Sequence, residues 1–203
     1  MLFVVPEQPF VSYPGGREGR RADGAASVML TGMTTQITLS PAEQLLAIEE
    51  IKRLFARRLR CMDDKRWEVY PTLHTEDVVS ETWGGLPDDK QPRTSGTANR
   101  VVGPEALTRA ISGLLDGATR VTTVHHGHTP EIELTSDTTA CGVWPMEDKL
   151  WWTNGDREEH LHGYGHYHEE YRKEGGRWLI SYRRLTRLRE DRTPGFYEFL
   201  KPL

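Results

Sequence analysis

The chain has 203 residues, with 26 Lys and Arg against 30 Asp and Glu, a net charge of −4 and two cysteines. So mild a charge leaves no electrostatic footprint for nucleic acid, and two cysteines make no disulfide framework and fit a reducing cytosol. No apolar run approaches the roughly 20 residues of a membrane span, and the length suits one domain with an appendage.

The first residues differ from the rest. MLFVVPEQPF is a short apolar run broken by Pro6 with no basic residue inside it, which makes a poor secretory signal. Residues 13–27, YPGGREGRRADGAAS, are rich in Gly, Arg and Ala without periodicity, the composition of a solvated segment. Residues 1–35 are therefore expected as a disordered or extended tail, and 36–203 as the folded domain. Order starts at Ser40. In S-P-A-E an N-cap serine, a proline at the first helical position and Glu43 three after the cap form a capping box. Ile48, Ile51, Phe55, Leu59 and Met62 then recur at spacings of three and four, one apolar stripe of a helix running to about Met62.

A second, shorter helix is expected from about Lys65 to His74, with Trp67, Tyr70 and Leu73 on its apolar side and Pro71 against it. Residues 77–83 read as a strand, 84–100 as a long turn-rich loop, and 103–115 as a third helix opened by Gly-Pro-Glu. Strands follow near 120–128, 130–135, 138–152, 159–173 and 177–189, with turns at 135–137 and 174–176. Short turns imply antiparallel neighbours. Helices followed by a run of strands imply an α+β domain, its helices on one face of a curved sheet.

Two stretches concentrate the chemistry. TVHHGHTPEIEL holds His125, His126 and His128, and EHLHGYGHYHEEY holds His160, His162, His166 and His168. Asp63 follows Phe55 and Leu59 at i, i+4, i+8, so it points at the edge of the core near the helix C-terminus. A carboxylate there is costly unless paired, and a neighbouring histidine would both satisfy it and share a proton with it. The bland alternative is that Asp63 simply caps the next element. Strict strand alternation puts His126 and His128 on the face of Ile132 and Leu134 and turns His125 outward. Gly127 and Pro130 are the residues that break such a register. The pairs His160/His162 and His166/His168 have the spacing of metal ligands on one strand face, but solvated histidines explain them as well, and no metal or other cofactor is expected. There is no G-x-S-x-G, P-loop or G-x-G-x-x-G. In RRLTRLREDR, Arg184 or Arg187 could meet an anion.

CMDDKRW at a helix end, VVGPEA before the third helix, TVHHGH before an alternating strand and GYGHYHEEYRKEGGRW near the end occur here in one order. Over about residues 41–190 the chain resembles SnoaL-like proteins of the nuclear transport factor 2-like superfamily, relatives of scytalone dehydratase, ketosteroid isomerase and bile acid dehydratase. The resemblance implies a cone-shaped half barrel, a curved and mostly antiparallel sheet wrapped around a long helix with two further helices. It also implies an acid/base pair in which Asp63 matches the aspartate and His125 the histidine, against the simple alternation that favours His126. A bulge near Gly127 would reconcile the two. Met62 stands where the dehydratase has a tyrosine, and Leu150 near where it has a second histidine, which argues against scytalone dehydration itself. His126, Tyr164, His166, Tyr167 and Trp67 are further candidates for catalysis or substrate binding.

The expectation is a cofactor-free dehydratase, isomerase or cyclase acting on a small, partly apolar ring compound, polyketide- or steroid-like. A non-catalytic ligand-binding or assembly module of the same fold is the alternative. The protein is expected to be cytoplasmic and a homo-oligomer, dimer or trimer, with no nucleic-acid or membrane partner.

Overall fold

The computed structural model describes residues 37–82 and 100–200. The expected N-terminal tail and the loop at 84–99 lie outside the described residues. The domain is α+β. Helix α1 (Pro41–Asp63) is followed by strands β1 (His74–Thr82) and β2 (Arg100–Val102), helix α2 (Pro104–Leu115), and strands β3 (Thr122–Gly127), β4 (Glu131–Leu134), β5 (Thr139–Asn154), β6 (Arg157–Glu174) and β7 (Arg177–Arg192). The strand order is β2-β1-β7-β6-β5-β3, with β4 also paired to β5. Every pair is antiparallel except β1 with β7.

The capping box at Ser40 forms: the Glu43 amide donates to Ser40 Oγ, and the Ser40 amide donates to Glu43 Oε2 at 2.8 Å. Helix α1 ends one residue later than its periodicity suggests. The second helix expected at 65–74 is absent as an α-helix. A turn replaces its first part, and only Tyr70–Leu73 coil, as one 3-10 turn. Lys65 stops the helix by adopting φ +57, and Pro71 has no amide to continue an α-helical ladder. Strand β1 starts three residues earlier than read from the sequence. The short strand β2, which pairs with its outer edge, was not expected.

The long strands alternate with period two. On β5, Ala140, Gly142, Trp144, Met146, Asp148, Leu150 and Trp152 are buried, and on β6 Leu161, Gly163, Gly165, Tyr167, Glu169 and Tyr171 are buried. This face meets Ile51, Phe55, Leu59 and Met62 of α1. Phe55 stacks on Trp144 with ring centroids 3.7 Å apart. A Cβ at Gly127 would lie 2.3 Å from the Phe55 ring, so β3 can approach the helix only with glycine there. At Gly165 a Cβ would meet the Thr186 carbonyl oxygen at 1.9 Å, beside the β6–β7 irregularity that leaves Leu188 bulged outward.

The core is not purely apolar. Arg58 on α1 is fully buried, with its guanidinium 2.8 Å from Glu169 and packed over the Tyr167 ring. Tyr171 Oη donates to Glu169 and accepts from Trp144 Nε1, each at 2.8 Å. A buried charge is costly unless it is paired and hydrogen-bonded, and this chain of partners supplies the pairing. Arg183 donates to Tyr70 Oη at 3.1 Å, and the Nδ1–H of His74 donates to the Tyr70 carbonyl at 2.9 Å. Burial, reinforced by Arg183 and Arg58, pushes the His74 imidazole down to about 3.

His74 therefore has a visible pH consequence. Its ordinary value is near 6.5, so between that pH and about 3 the unfolded chain takes up a proton that the folded chain refuses, and stability falls as pH is lowered. Thermal unfolding followed by circular dichroism from pH 7 to 4.5 should show a falling midpoint, and His74→Gln should flatten it.

Candidate active site

The C-terminal turn of α1 and the inner face of β3 bring two groups together. Asp63, the last residue of α1, receives the Nδ1–H of His125 on Oδ1 at 2.6 Å and the backbone N–H of His125 on Oδ2 at 3.0 Å. Two bonds to one residue fix both the carboxylate plane and the ring. The His125 side chain is 6% exposed and that of Asp63 23%. Burial pushes the Asp63 carboxyl up, but the bonds from His125 and then Thr123 outweigh it and hold the group below its ordinary value. With Nδ1–H committed to the carboxylate, Nε2 carries the lone pair of the neutral ring. It has no hydrogen-bond partner among the described residues. A histidine oriented in this way by a carboxylate has the form of a general base.

The register explains why His125 rather than His126 faces inward. In β3 the pairs run from Thr122↔Trp151 to Gly127↔Met146 without interruption, so Thr123, His125 and Gly127 share the face of Leu150, Asp148 and Met146. In β4, Ile132↔Gly142 and Leu134↔Ala140 also lie on that face. Facing positions are odd in β3 and even in β4 because the register against β5 steps by one residue across 128–130. Alternation carried through that step misplaces His126, which is exposed and lies 3.5 Å from Glu147 on the other side of the sheet.

The other candidates divide between the two faces. Tyr164 is outward, its hydroxyl 2.9 Å from His162 Nδ1, while His162 Nε2 sits 2.7 Å from Glu147. His166 is also outward, beside His168 at 6.2 Å between ring centroids. None of the outward candidates His126, Tyr164 and His166 joins the Asp63–His125 pair. Tyr167 is inward and fully buried, edge-on to Phe55, and burial pushes its phenol up. Trp67 is tied by its indole N–H to Asp116 at 3.0 Å. Among the described residues no three His, Cys, Asp or Glu side chains are placed to hold a metal ion.

The sequence did not single out Thr123, Lys65 or Asp148. Thr123 Oγ1 donates to Asp63 Oδ1 at 2.8 Å and accepts from Lys65 Nζ at 3.1 Å. Asp148 is the register partner of His125 and holds Arg187 through two bonds of 2.6 and 2.5 Å, both side chains nearly buried. That ion pair occupies the space above Gly163, where a Cβ would lie 2.0 Å from Arg187 Nη1. Arg187 thus spends its fork on Asp148 rather than standing free for an anion. Thr123 was legible as a same-face neighbour two residues before His125, and Asp148 as an acid at a buried parity of β5. Two open clefts, about 450 and 230 Å³, border the β6–β7 turn, and neither is lined by Asp63 or His125.

Residues 43–184 match the protein family described as the SnoaL-like domain. Three similar solved structures share the fold. A proposed scytalone dehydratase from Novosphingobium aromaticivorans is 18% identical, with TM-score 0.61 over 75% of this chain and 91% of the other. The type 3 hexachlorocyclohexane dehydrochlorinase from Novosphingobium barchaimii is 15% identical, with TM-score 0.62 over 77% and 96%. A proposed aromatic ring hydroxylase from N. aromaticivorans is 17% identical, with TM-score 0.61 over 80% and 100%.

The Asp148–Arg187 pair next to the site has a testable energetic signature. Asp148→Ala strands a buried guanidinium and should cost about 3 kcal/mol, whereas Asp148→Ala with Arg187→Met should recover most of it. Urea unfolding of the three proteins measures this directly.

Proposed function

The chain belongs to the SnoaL-like domain family, and from that premise we propose that it is a cofactor-independent acid/base enzyme whose working pair is Asp63 and His125. The observation that carries the reading is the 2.6 Å bond that commits Nδ1–H of a nearly buried His125 to Asp63 and leaves Nε2 as the base. In the proposed reaction Nε2 takes a proton from the carbon next to a carbonyl. Asp63 stabilises the imidazolium that forms. If a hydroxyl stands on the next carbon, the C–O bond breaks, a C=C bond forms, and the imidazolium returns its proton to the departing oxygen, giving water. Without a leaving group the same proton is returned elsewhere and the outcome is isomerisation or ring closure. The names dehydratase and dehydrochlorinase, borne by two structural neighbours, both denote eliminations. At under 25% identity that likeness supports the fold and lends the reaction only analogy. A small, partly apolar ring compound is the substrate class we propose, in keeping with the aromatic interior of Phe55, Trp144 and Tyr167.

A second reading has its own observation. The space between α1 and the sheet is taken up by the Phe55–Trp144 stack and the Arg58–Glu169 and Asp148–Arg187 pairs. A non-catalytic ligand-binding or assembly module would tolerate such an interior.

The test is a panel of cyclic β-hydroxy ketones, followed by the ultraviolet absorbance of the enone product. Wild-type protein should turn over at least one member. His125→Gln and Asp63→Asn should each lower the rate by about 10²-fold or more while the circular dichroism spectrum stays as in the wild type. Undiminished rates in either variant would sink the acid/base reading. Ring compounds that bind with no turnover would favour the second.

A further inference from the structure

Lys65 is the only non-glycine residue with positive φ among the described residues, at +57. It occupies the position just past the C-cap of α1, where glycine is favoured because it adopts that conformation without steric cost. A lysine there bears strain that a glycine would not, and strain of this kind collects at functional sites. The strained conformation has a geometric result. The chain doubles back, the Lys65 side chain turns toward β3, and Nζ reaches Thr123 Oγ1 at 3.1 Å. The Thr123 hydroxyl, with Lys65 donating to its oxygen, spends its own proton on Asp63 Oδ1 at 2.8 Å. Asp63 Oδ1 thus receives Thr123 from one side and His125 Nδ1–H from the other.

Resting on the acid/base reading of this site, we propose that Lys65, acting through Thr123, is a positioning residue for Asp63. The arm fixes the side-chain torsion of the carboxylate so that Oδ1 meets the imidazole in plane. It also keeps the carboxylate ionised beside a nearly buried ring. Neither residue touches a substrate.

The groups around the arm fit this role. From β3, Thr123 and His125 face Asp63. Behind them on β5, Asp148 is neutralised by Arg187 and does not compete for His125. Lys65 itself is half-buried. Burial pushes its ammonium down, and Asp63 and then Asp116 pull it back up, with Arg120 opposing them. The ammonium stays in hydrogen-bond reach of Thr123 Oγ1.

The test needs no substrate, so it stands apart from the turnover panel. The full chain is labelled with ¹³C at the aspartate carboxyl carbons, and the Asp63 resonance is followed against pH in wild type, Thr123→Val, Thr123→Ser, Lys65→Met and Lys65→Gly. Thr123→Val should raise the Asp63 midpoint by roughly 1–2 pH units, the size of one hydrogen bond to a carboxylate, and Thr123→Ser should keep it at the wild-type value. Both Lys65 variants should raise it as well. Lys65→Gly should melt no lower than Lys65→Met, because glycine relieves the backbone. Where acid unfolding precedes the titration, the exchange lifetime of the His125 Nδ1–H proton at neutral pH is the second readout. It should shorten several-fold in Thr123→Val and in both Lys65 variants. An Asp63 midpoint and a proton lifetime unchanged in Thr123→Val overturn the proposal. So does a shift in Thr123→Val with none in either Lys65 variant, since Thr123 would then act alone. Loss of turnover in Asp63→Asn with no effect of the arm would fail this inference while leaving the acid/base reading intact.

Discussion

The structure depends on one constraint: an acidic residue ends the buried face of α1, and it must find a partner inside the fold. Phe55, Leu59 and Met62 dock the helix on the sheet, and the same stripe carries Asp63 to the inner surface of β3. A half-buried carboxylate needs hydrogen-bond donors, and the structure supplies three, from the ring and backbone of His125 and the hydroxyl of Thr123. The packing that stabilises the domain and the geometry that orients the histidine are therefore one arrangement. Gly127 belongs to it, because β3 could not come this close to Phe55 with a side chain at that position.

The interior beyond the pair is unusually ionic for a domain of this size. Arg58, Arg187, Asp148 and Glu169 all lie inside, in two pairs, with Arg58 packed over the Tyr167 ring. Such pairs are weak evidence for stability, since desolvation cancels much of the attraction. What they do impose is register. Trp144 on β5 bonded to Tyr171 on β6, and Asp148 on β5 bonded to Arg187 on β7, can be satisfied by only one alignment of β5, β6 and β7. A slip by one residue would turn each charge to the wrong face. The glycines at 163 and 165 are the counterpart, leaving room for a guanidinium and for a close approach of the neighbouring backbone.

Much of this was legible in the sequence. The capping box, the apolar stripe of α1, the third helix and the five C-terminal strands each carry a local signal, and each formed close to where that signal lies. The misses have physical causes. The helix expected after Met62 failed because Lys65 takes a backbone conformation that no propensity scale assigns to lysine. Strand β2 is three residues long and exists by pairing with β1, a long-range fact. In the candidate site, helical spacing pointed Asp63 inward, but alternation chose the wrong histidine, because a one-residue step across 128–130 is invisible to a parity count. The resemblance to relatives pointed to His125, the histidine that lies against Asp63. Thr123 and Lys65 escaped notice because a threonine on a strand and a lysine in a turn look like ordinary surface until the helix end folds back on them.

The two readings of function differ in what they ask of the buried ionic pairs. For a binding or assembly module, the Asp63–His125 bond would be one more satisfied pair among several, like Glu169 with Arg58. The pairs are not equivalent, however. In Arg58–Glu169 and Asp148–Arg187 the cation is a guanidinium, which does not give up its proton at accessible pH and so is of no use as an acid or base. Among the described residues, Asp63–His125 is the inward-facing pair in which a carboxylate orients an imidazole. Its carboxylate is held below its usual range and its free nitrogen lacks a partner among the described residues. His74, the other inward histidine, shows what a structural imidazole looks like here: burial, reinforced by Arg183 and Arg58, pushes it too low to take a proton near neutral pH. The fold thus treats its two inward histidines in opposite ways, one silenced by burial and one supported by a carboxylate, and only the second arrangement is of use to proton transfer.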